Sequence, residues 1–139
     1  MASNYTPFPA KIVTPQGILF DGLVRELEVS STAGGLGILA RRAPIVAELE
    51  LGRVSAELED GTRRTWATEV GFAQASNSTA TVVVQEAVEV EAITEERANE
   101  LIEHGKQLLT EAGDNEGERS VAEREIAWGT HLLQMRQQR

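Results

Sequence analysis

Val88-Glu89-Val90-Glu91-Ala92-Ile93-Thr94-Glu95-Glu96-Arg97-Ala98-Asn99-Glu100-Leu101-Ile102 is the stretch that decides the fold, because the hydrophobic period changes inside it. Up to Ala92 apolar and charged residues alternate, as along a half-buried strand. Beyond Ile93 the apolar positions return every three or four residues, as along one face of a helix. Residues 1–92 are therefore expected to form a β domain and residues 93–139 a helical one.

Working back from that point, Phe8, Ala10 and Ile12 alternate up to the turn-forming Thr14-Pro15-Gln16-Gly17. Leu27 and Val29 share one face, with Glu26, Glu28 and Ser30 on the other. Val54, Ala56 and Leu58 alternate with Arg53, Ser55, Glu57 and Glu59. Asp60-Gly61 reads as the positive-φ pair of a tight hairpin, with a return strand over about Thr62–Thr68. Glu69-Val70-Gly71-Phe72-Ala73 reads as another strand, and Ser76-Asn77-Ser78 as a turn before the β-branched run Thr79 to Val84. Short strands with turn signals at this spacing predict an antiparallel β-sandwich or flattened barrel.

Working forward, Thr94 is suited to cap a helix, with Glu95 and Glu96 in the first turn where the helix dipole favours negative charge. Ala98, Leu101, Ile102, Gly105, Leu108, Leu109 and Ala112 form one stripe; Gly113 to Gly117 reads as the turn. A second stripe holds Val121, Ala122, Ile126, Gly129, Leu132 and Leu133, with Trp128 and Met135 at its edge. Each helical glycine costs about 1 kcal/mol relative to alanine. The compensation expected of Gly105 and Gly129 is a close approach of two backbones in an antiparallel hairpin. A hairpin of this size has too little core of its own. It is expected to rest on the sandwich, on a partner, or on each in turn, as a switch element does.

Composition narrows the function classes. Of 139 residues 41% are hydrophobic and 25% charged, as in a globular chain, and no apolar run exceeds three residues, too short to span a membrane. The formal net charge of −9 argues against nucleic acid as a partner. Without cysteine there is no disulfide, thiol nucleophile or thiolate metal site. The opening Met1-Ala2-Ser3-Asn4-Tyr5 has neither the basic patch nor the apolar core of a signal peptide, so a cytosol-like compartment is expected.

No catalytic constellation emerges, so no catalytic residue, metal or cofactor is expected. His104 and His131 stand one per helix without a second ligand at metal-binding spacing, and His104 reads as solvated. No Gly-x-Ser-x-Gly elbow is present. Glu57/Glu59 and Glu89/Glu91 fit a solvated strand face better than an acid/base pair. Gly34-Gly35-Leu36-Gly37 lacks the Lys-Ser/Thr ending of a phosphate loop, and Ile38-Leu39-Ala40 after it reads as strand. A binding or regulatory role follows.

The segment Gly34-Gly35-Leu36-Gly37-Ile38-Leu39-Ala40-Arg41-Arg42-Ala43-Pro44-Ile45-Val46 carries more. It resembles the G-E-x-G-I-L-P-G-H-A-P-L motif of the epsilon subunits of F-type ATP synthases. Val13-Thr14-Pro15-Gln16-Gly17 with Phe20-Asp21-Gly22 resembles the family's opening V-T-P-x-G … F-x-G. Gly71-Phe72, Val82-Val83-Val84, and Ile93 with Arg97-Ala98 follow in the family's order. The resemblance covers essentially the whole chain. It implies the same sandwich followed by a helical hairpin, and a non-catalytic rotor subunit of an enzyme whose chemistry lies on the alpha and beta subunits. It further implies a sandwich docked on the gamma subunit and on the polar loops of the c-ring. The helical tail, by the same resemblance, can fold against the sandwich or extend toward the alpha/beta head, where it restrains ATP hydrolysis.

Carried onto this chain, the gamma and c-ring contact is expected at Gly37, Ile38, Leu39, Arg41, Arg42, Ala43 and Pro44. Ile38 and Leu39 are expected in the core, and Arg41 and Arg42 facing outward. Pro44 fixes φ. Here Gly35 stands where many relatives carry an acid, Ala40-Arg41-Arg42 replaces Pro-Gly-His, and Glu69-Val70-Gly71 replaces the usual small-Gly-Gly. Of the nucleotide motif found in some bacterial relatives only Arg97 and Ala98 remain, with Thr94 in place of Asp; one arginine is too few to offset the desolvation of a phosphate. No nucleotide site is therefore expected. Arg119, Arg124, Arg136 and Arg139 are the candidates for tail inhibition, although acids outnumber bases in residues 93–139. Any membrane association is expected through protein partners, on the cytoplasmic face of a bacterial membrane or, for a plastid-encoded chain, at the thylakoid. The rival class is a freestanding small-ligand (nucleotide) switch of the same architecture, against which the eroded ATP motif argues.

Overall fold

The computed structural model describes residues 6–76 and 78–139. The opening Met1–Tyr5 segment and Asn77, in the expected second turn, lie outside the described residues. Backbone contacts divide the chain into one unit ending at Glu89 and a second over Val90–Arg139.

The first unit holds eight strands: β1 (Phe8–Thr14), β2 (Gly17–Ser31), β3 (Gly34–Ile38), β4 (Ile45–Leu58), β5 (Arg63–Thr68), β6 (Gly71–Ala75), β7 (Ala80–Val84) and β8 (Ala87–Glu89). The long strands β2 and β4 are each shared between two layers. In the first layer the early half of β2 pairs with β1, β1 with β7, β7 with β6, and β6 with the Ile45–Leu49 half of β4. In the second the later half of β2 lies between β3 and the later half of β4, which continues to β5 and β8. The β2–β4 pairing closes the sheet on itself as a flattened barrel. Among the described residues every pairing is antiparallel except β1 with β7, which is parallel over Ala10–Val13 and Ala80–Val83. Alternation of residues carries no information on strand direction, so this exception is not legible in the pattern.

Most of the alternating residues close the core as their spacing predicts: Phe8, Ala10, Ile12, Leu27, Val29, Val54 and Ala56 are buried, while Leu58 is half-buried, and Val24 and Val82 join them. Phe20 meets the edge of Trp66 at 5.4 Å between ring centroids. Over both rings lies the Arg64 guanidinium, 4.9 Å from the centroid of Trp66, making two hydrogen bonds of 2.9 and 2.8 Å to the Glu89 carboxylate. So Glu89 is not merely part of a solvated face, and Glu91 lies in the second unit. The Arg64 hydrogen bonds hold the Glu89 carboxyl below the usual carboxylate range and raise that of Arg64. A depressed carboxyl stabilises the fold at neutral pH, and that increment disappears as pH falls through its folded value. The expected result is a loss on the order of 1 kcal/mol between neutral pH and the acid range, kept small because both side chains are about a third exposed. Glu89→Gln removes it, so urea titrations at neutral and acid pH lie closer together in the variant than in the parent.

Two local readings need correction. At the β4–β5 connection Gly61 has φ +88° but Asp60 is not in the left-handed region. The Gly61 N–H donates to the Leu58 carbonyl and the Leu58 N–H to the Thr62 carbonyl, giving a three-residue loop with glycine at its bulge rather than a two-residue turn. Asp60 instead accepts from the Thr62 N–H and hydroxyl. Glu69 and Val70 precede β6 rather than belonging to it.

The second unit begins with a 3-10 turn at Val90–Ala92, followed by α1 (Glu95–Ala112) and α2 (Glu116–Gln138). Thr94 caps α1 by accepting the Arg97 N–H at 3.1 Å. Asn115 caps α2 by accepting the Glu118 N–H, so the turn is shorter than expected and Gly117 is helical. The two glycines sit where the backbones come together. A Cβ on Gly129 would lie 2.8 Å from the Ala98 carbonyl oxygen, and one on Gly105 3.1 Å from that of Ala122. On α2 the buried face is rotated from the one expected: Trp128 and Met135 are buried and Val121 is half exposed. A stripe defined by hydrophobicity alone cannot tell its centre from its edge when its apolar residues are spread over 23 positions. His104, expected solvated, is exposed but faces Glu125 across the helix pair.

Candidate partner-docking surfaces

The loop from Gly37 to Pro44 leaves one layer and enters the other, since β3 belongs to the second and β4 opens in the first. Gly37 and Ile38 end β3, which stops short of Leu39 and Ala40. Ile38 is buried in the core, while Leu39 is half-buried. Ala43 and Pro44 are exposed. Arg41 adopts φ 62°, a left-handed conformation that costs a residue with a side chain about 1 kcal/mol. It occupies the place of the glycine in the motif quoted above. Arg42 does not face outward. Its guanidinium turns back to donate to the Gly37 carbonyl, and its Nε is buried without a hydrogen-bond partner. Of the two arginines, Arg41 is the one left to present its charge at the tip of this loop.

The first layer carries a larger feature that alternation does not reveal. The pairings Ile18 with Val13, Val13 with Val83 and Val83 with Phe72 line up one apolar row across four strands. Ile18 is 57%, Val83 47% and Phe72 55% exposed, and Leu19, Leu23, Val46 and Val70 are also exposed on or beside these strands. Burying such side chains is worth roughly 1.5–3 kcal/mol each, so a contiguous row left in water marks a place for a partner. Beside Phe72 and Val70 lies a cleft of about 300 Å³ with Glu48 and Gln85 on its walls. A sequence signal exists for part of it: Val82-Val83-Val84 is an unbroken apolar run on a strand and period two forces Val83 outward, whereas Ile18 turns out where the β1–β2 register shifts between Ile12 and Val13. Which runs become neighbours depends on the parallel β1–β7 pairing.

The second layer is polar where it faces solvent. Arg63 pairs with Glu26 at 3.3 Å, Glu28 at 3.2 Å and Glu57 at 3.4 Å, beside Ser55 and Arg53.

The four tail arginines are not gathered on one surface. Arg119 donates to the Gly113 carbonyl at 3.0 Å, and Arg124 is exposed. Arg136 meets Glu95 at 3.5 Å, and Arg139 folds onto the segment before α1. About 30 Å of helix separates Arg119 from Arg139 at 1.5 Å per residue. Arg97 pairs loosely with Glu100 at 3.7 Å on the exposed side of α1, and Ala98 is fully buried, its carbonyl under Gly129. Among the described residues no group of acids and histidines is arranged to hold a metal ion, and no helix is long and apolar enough to cross a membrane.

Comparison with known proteins shows the family of the chain. Residues 7–90 match the ATP synthase, Delta/Epsilon chain, beta-sandwich domain. The chain is 31% identical over 116 residues to an ATP synthase epsilon chain of a Nitratiruptor species, covering 84% of this chain and 90% of that one. It is 30% identical over 129 residues to one from Lacticaseibacillus casei, covering 91% and 90%. The chloroplastic epsilon chain of Cyanidium caldarium is 38% identical over 95 residues, 66% of this chain and 68% of that. Among solved structures, a chain of the Euglena gracilis mitochondrial ATP synthase (OSCP/F1/c-ring) superposes with a TM-score of 0.72 at 19% identity, covering 96% of this chain and 84% of that one.

Proposed function

Because the chain belongs to the ATP synthase delta/epsilon family, we propose that it serves as the epsilon subunit of an F-type ATP synthase, a central-stalk component that couples rotation of the c-ring to ATP synthesis and has no catalytic residue of its own. The observation that carries the docking part of this reading is the exposed apolar row Ile18–Val13–Val83–Phe72. A water-soluble domain keeps such a row only if something covers it, and the gamma subunit is the partner the family offers. Arg41, at the tip of the Gly37–Pro44 loop, then faces the polar loops of the c-ring, where acidic groups would suit it. Attachment to the membrane is peripheral, through these partners. The β domain, ending at Glu89, acts as the docking module, and the unit that begins at Val90 carries the regulatory tail, the helical residues 93–139.

The experiment is binding of the full chain to its own organism's gamma subunit, by size exclusion and calorimetry. A one-to-one complex is expected. Phe72→Glu should weaken it by roughly 30-fold or more, as loss of an interface anchor does, whereas Arg53→Glu on the polar layer should leave it within about threefold. Absence of a complex between two folded chains would overturn the reading and bring the ligand-switch class forward.

The tail acts in this reading by leaving its folded hairpin and reaching the alpha/beta head. Deleting the residues after Ile93 should raise ATP hydrolysis by the assembled complex several-fold while preserving gamma binding. Unchanged hydrolysis would count against inhibition without touching the docking assignment.

A further inference from the structure

Arg139 is engaged where none of the docking surfaces lies. Its Nη1 donates to three main-chain carbonyls, those of Val90 at 3.0 Å, Glu91 at 3.2 Å and Ile93 at 3.3 Å. These belong to the 3-10 turn and the residue after it, the segment at which the chain divides into its two units. One turn earlier on α2, Arg136 meets Glu95 in the first turn of α1. The far end of α2 is thus strapped to the near end of α1 and to the backbone that precedes it.

We propose that Arg139, supported by Arg136, is a clasp that sets how readily α2 leaves α1 and the segment Val90–Ile93 changes shape. This rests on the reading above in which the tail moves. Three carbonyls converging on one point make a small region of negative potential, and a guanidinium satisfies it through charge-assisted hydrogen bonds stronger than neutral ones. The Val90 carbonyl also accepts the Ile93 N–H that closes the 3-10 turn, so the clasp holds the conformation of the segment as well as its position. The close fit of Gly105 and Gly129 fixes the middle of the helix pair; the clasp fixes the end where separation would begin.

A second consequence concerns what the tail can offer a partner. Three of the four arginines available to an acidic surface, Arg119, Arg136 and Arg139, are already engaged inside the closed hairpin. Closed and extended forms therefore compete for the same guanidinium groups, and an acidic partner that takes Arg139 takes it from the carbonyls of Val90, Glu91 and Ile93. By linkage, occupancy at the acidic surface and release of the clasp promote each other.

The test is amide hydrogen exchange of the full chain, read at Ile93, Arg97 and Ala98. Arg139→Gln should accelerate exchange there by roughly five- to tenfold through more frequent local opening. Arg124→Gln removes the same charge from an exposed position on α2 and should change those rates by less than about twofold. Equal rates in the two variants would overturn the clasp. The same variants are then placed in the assembled complex. Faster exchange in Arg139→Gln with altered ATP hydrolysis supports both the clasp and the moving tail. Faster exchange with unaltered hydrolysis upholds the clasp and overturns tail inhibition.

Discussion

Gly71→Ala should destabilise the sandwich by about 3 kcal/mol or more, enough to remove a large part of the stability of a domain this size. A Cβ at this position would lie 2.0 Å from the Val83 carbonyl oxygen and 2.8 Å from the Val84 Cα. Both atoms are backbone, so no rotamer change can make room. Relief requires prising β6 from β7 at the Gly71–Val84 pair, beside the buried Ala73 and Val84. Gly35→Ala is the control, since a Cβ there meets nothing within 4 Å, and it should be nearly neutral. Urea unfolding followed by circular dichroism separates the two. A loss below about 1 kcal/mol in Gly71→Ala would mean that the strands part at little cost. The chain lacks the first glycine of the family's small-Gly-Gly turn, having Val70 there, and keeps the one for which its own backbone leaves no space.

Gly129→Ala should produce the largest effect in the helical unit, a net loss of about 1–2 kcal/mol. Alanine would favour the isolated helix by about 1 kcal/mol, so the packing penalty must exceed that before any loss is seen. The new methyl would lie 2.8 Å from both the Ala98 carbonyl oxygen and Ile102 Cγ1, and 3.1 Å from Leu101 Cβ. Gly105→Ala should cost somewhat less, because its nearest backbone atoms, the Ala122 carbonyl oxygen and the Ile126 nitrogen, stand at 3.1 Å rather than 2.8 Å, although the stiff β-branched Ile126 Cγ1 at 2.6 Å must also give way. Exchange protection of the amides in α1 and α2 should fall, with that of β1 to β7 unchanged. Increased protection would show that helix propensity outweighs the interhelical fit. On the proposed reading in which the tail moves, the same substitution would favour its extended form in an assembled complex.

The difference between these two glycine arguments shows what a sequence can disclose. Two glycines inside helical stripes are costly in isolation, so their presence points to a reason, and close approach of backbones is the natural one. Thr94 before two glutamates is similarly local, and it caps α1 as its chemistry suggests. Gly71 gives no such signal, because a glycine at a strand start has many ordinary explanations and its neighbour on β7 is fixed by long-range pairing. The exposed apolar row is hidden for the same reason. Its members come from β1, β2, β6 and β7, and only the parallel β1–β7 register brings them side by side. Arg42 reads as outward because a charged side chain in a loop usually is; the Gly37 carbonyl at the end of β3 draws it back. The position of Trp128 on α2 escapes the pattern because helical spacing fixes the shape of a stripe and leaves its centre open.

The sharing of β2 and β4 between layers has a mechanical side. In most two-layer β domains the layers are joined by loops, which are compliant, and a sideways load on one layer is partly absorbed before the other feels it. Here two continuous extended backbones run from one layer into the other, and hydrogen-bonded ladders flank them. Shear applied to the face bearing Phe72 and Val83 is carried into the opposite layer through covalent bonds under tension rather than through bending of connections. If the chain is the rotor part proposed above, that stiffness limits how much of each step is lost as elastic twist within the domain.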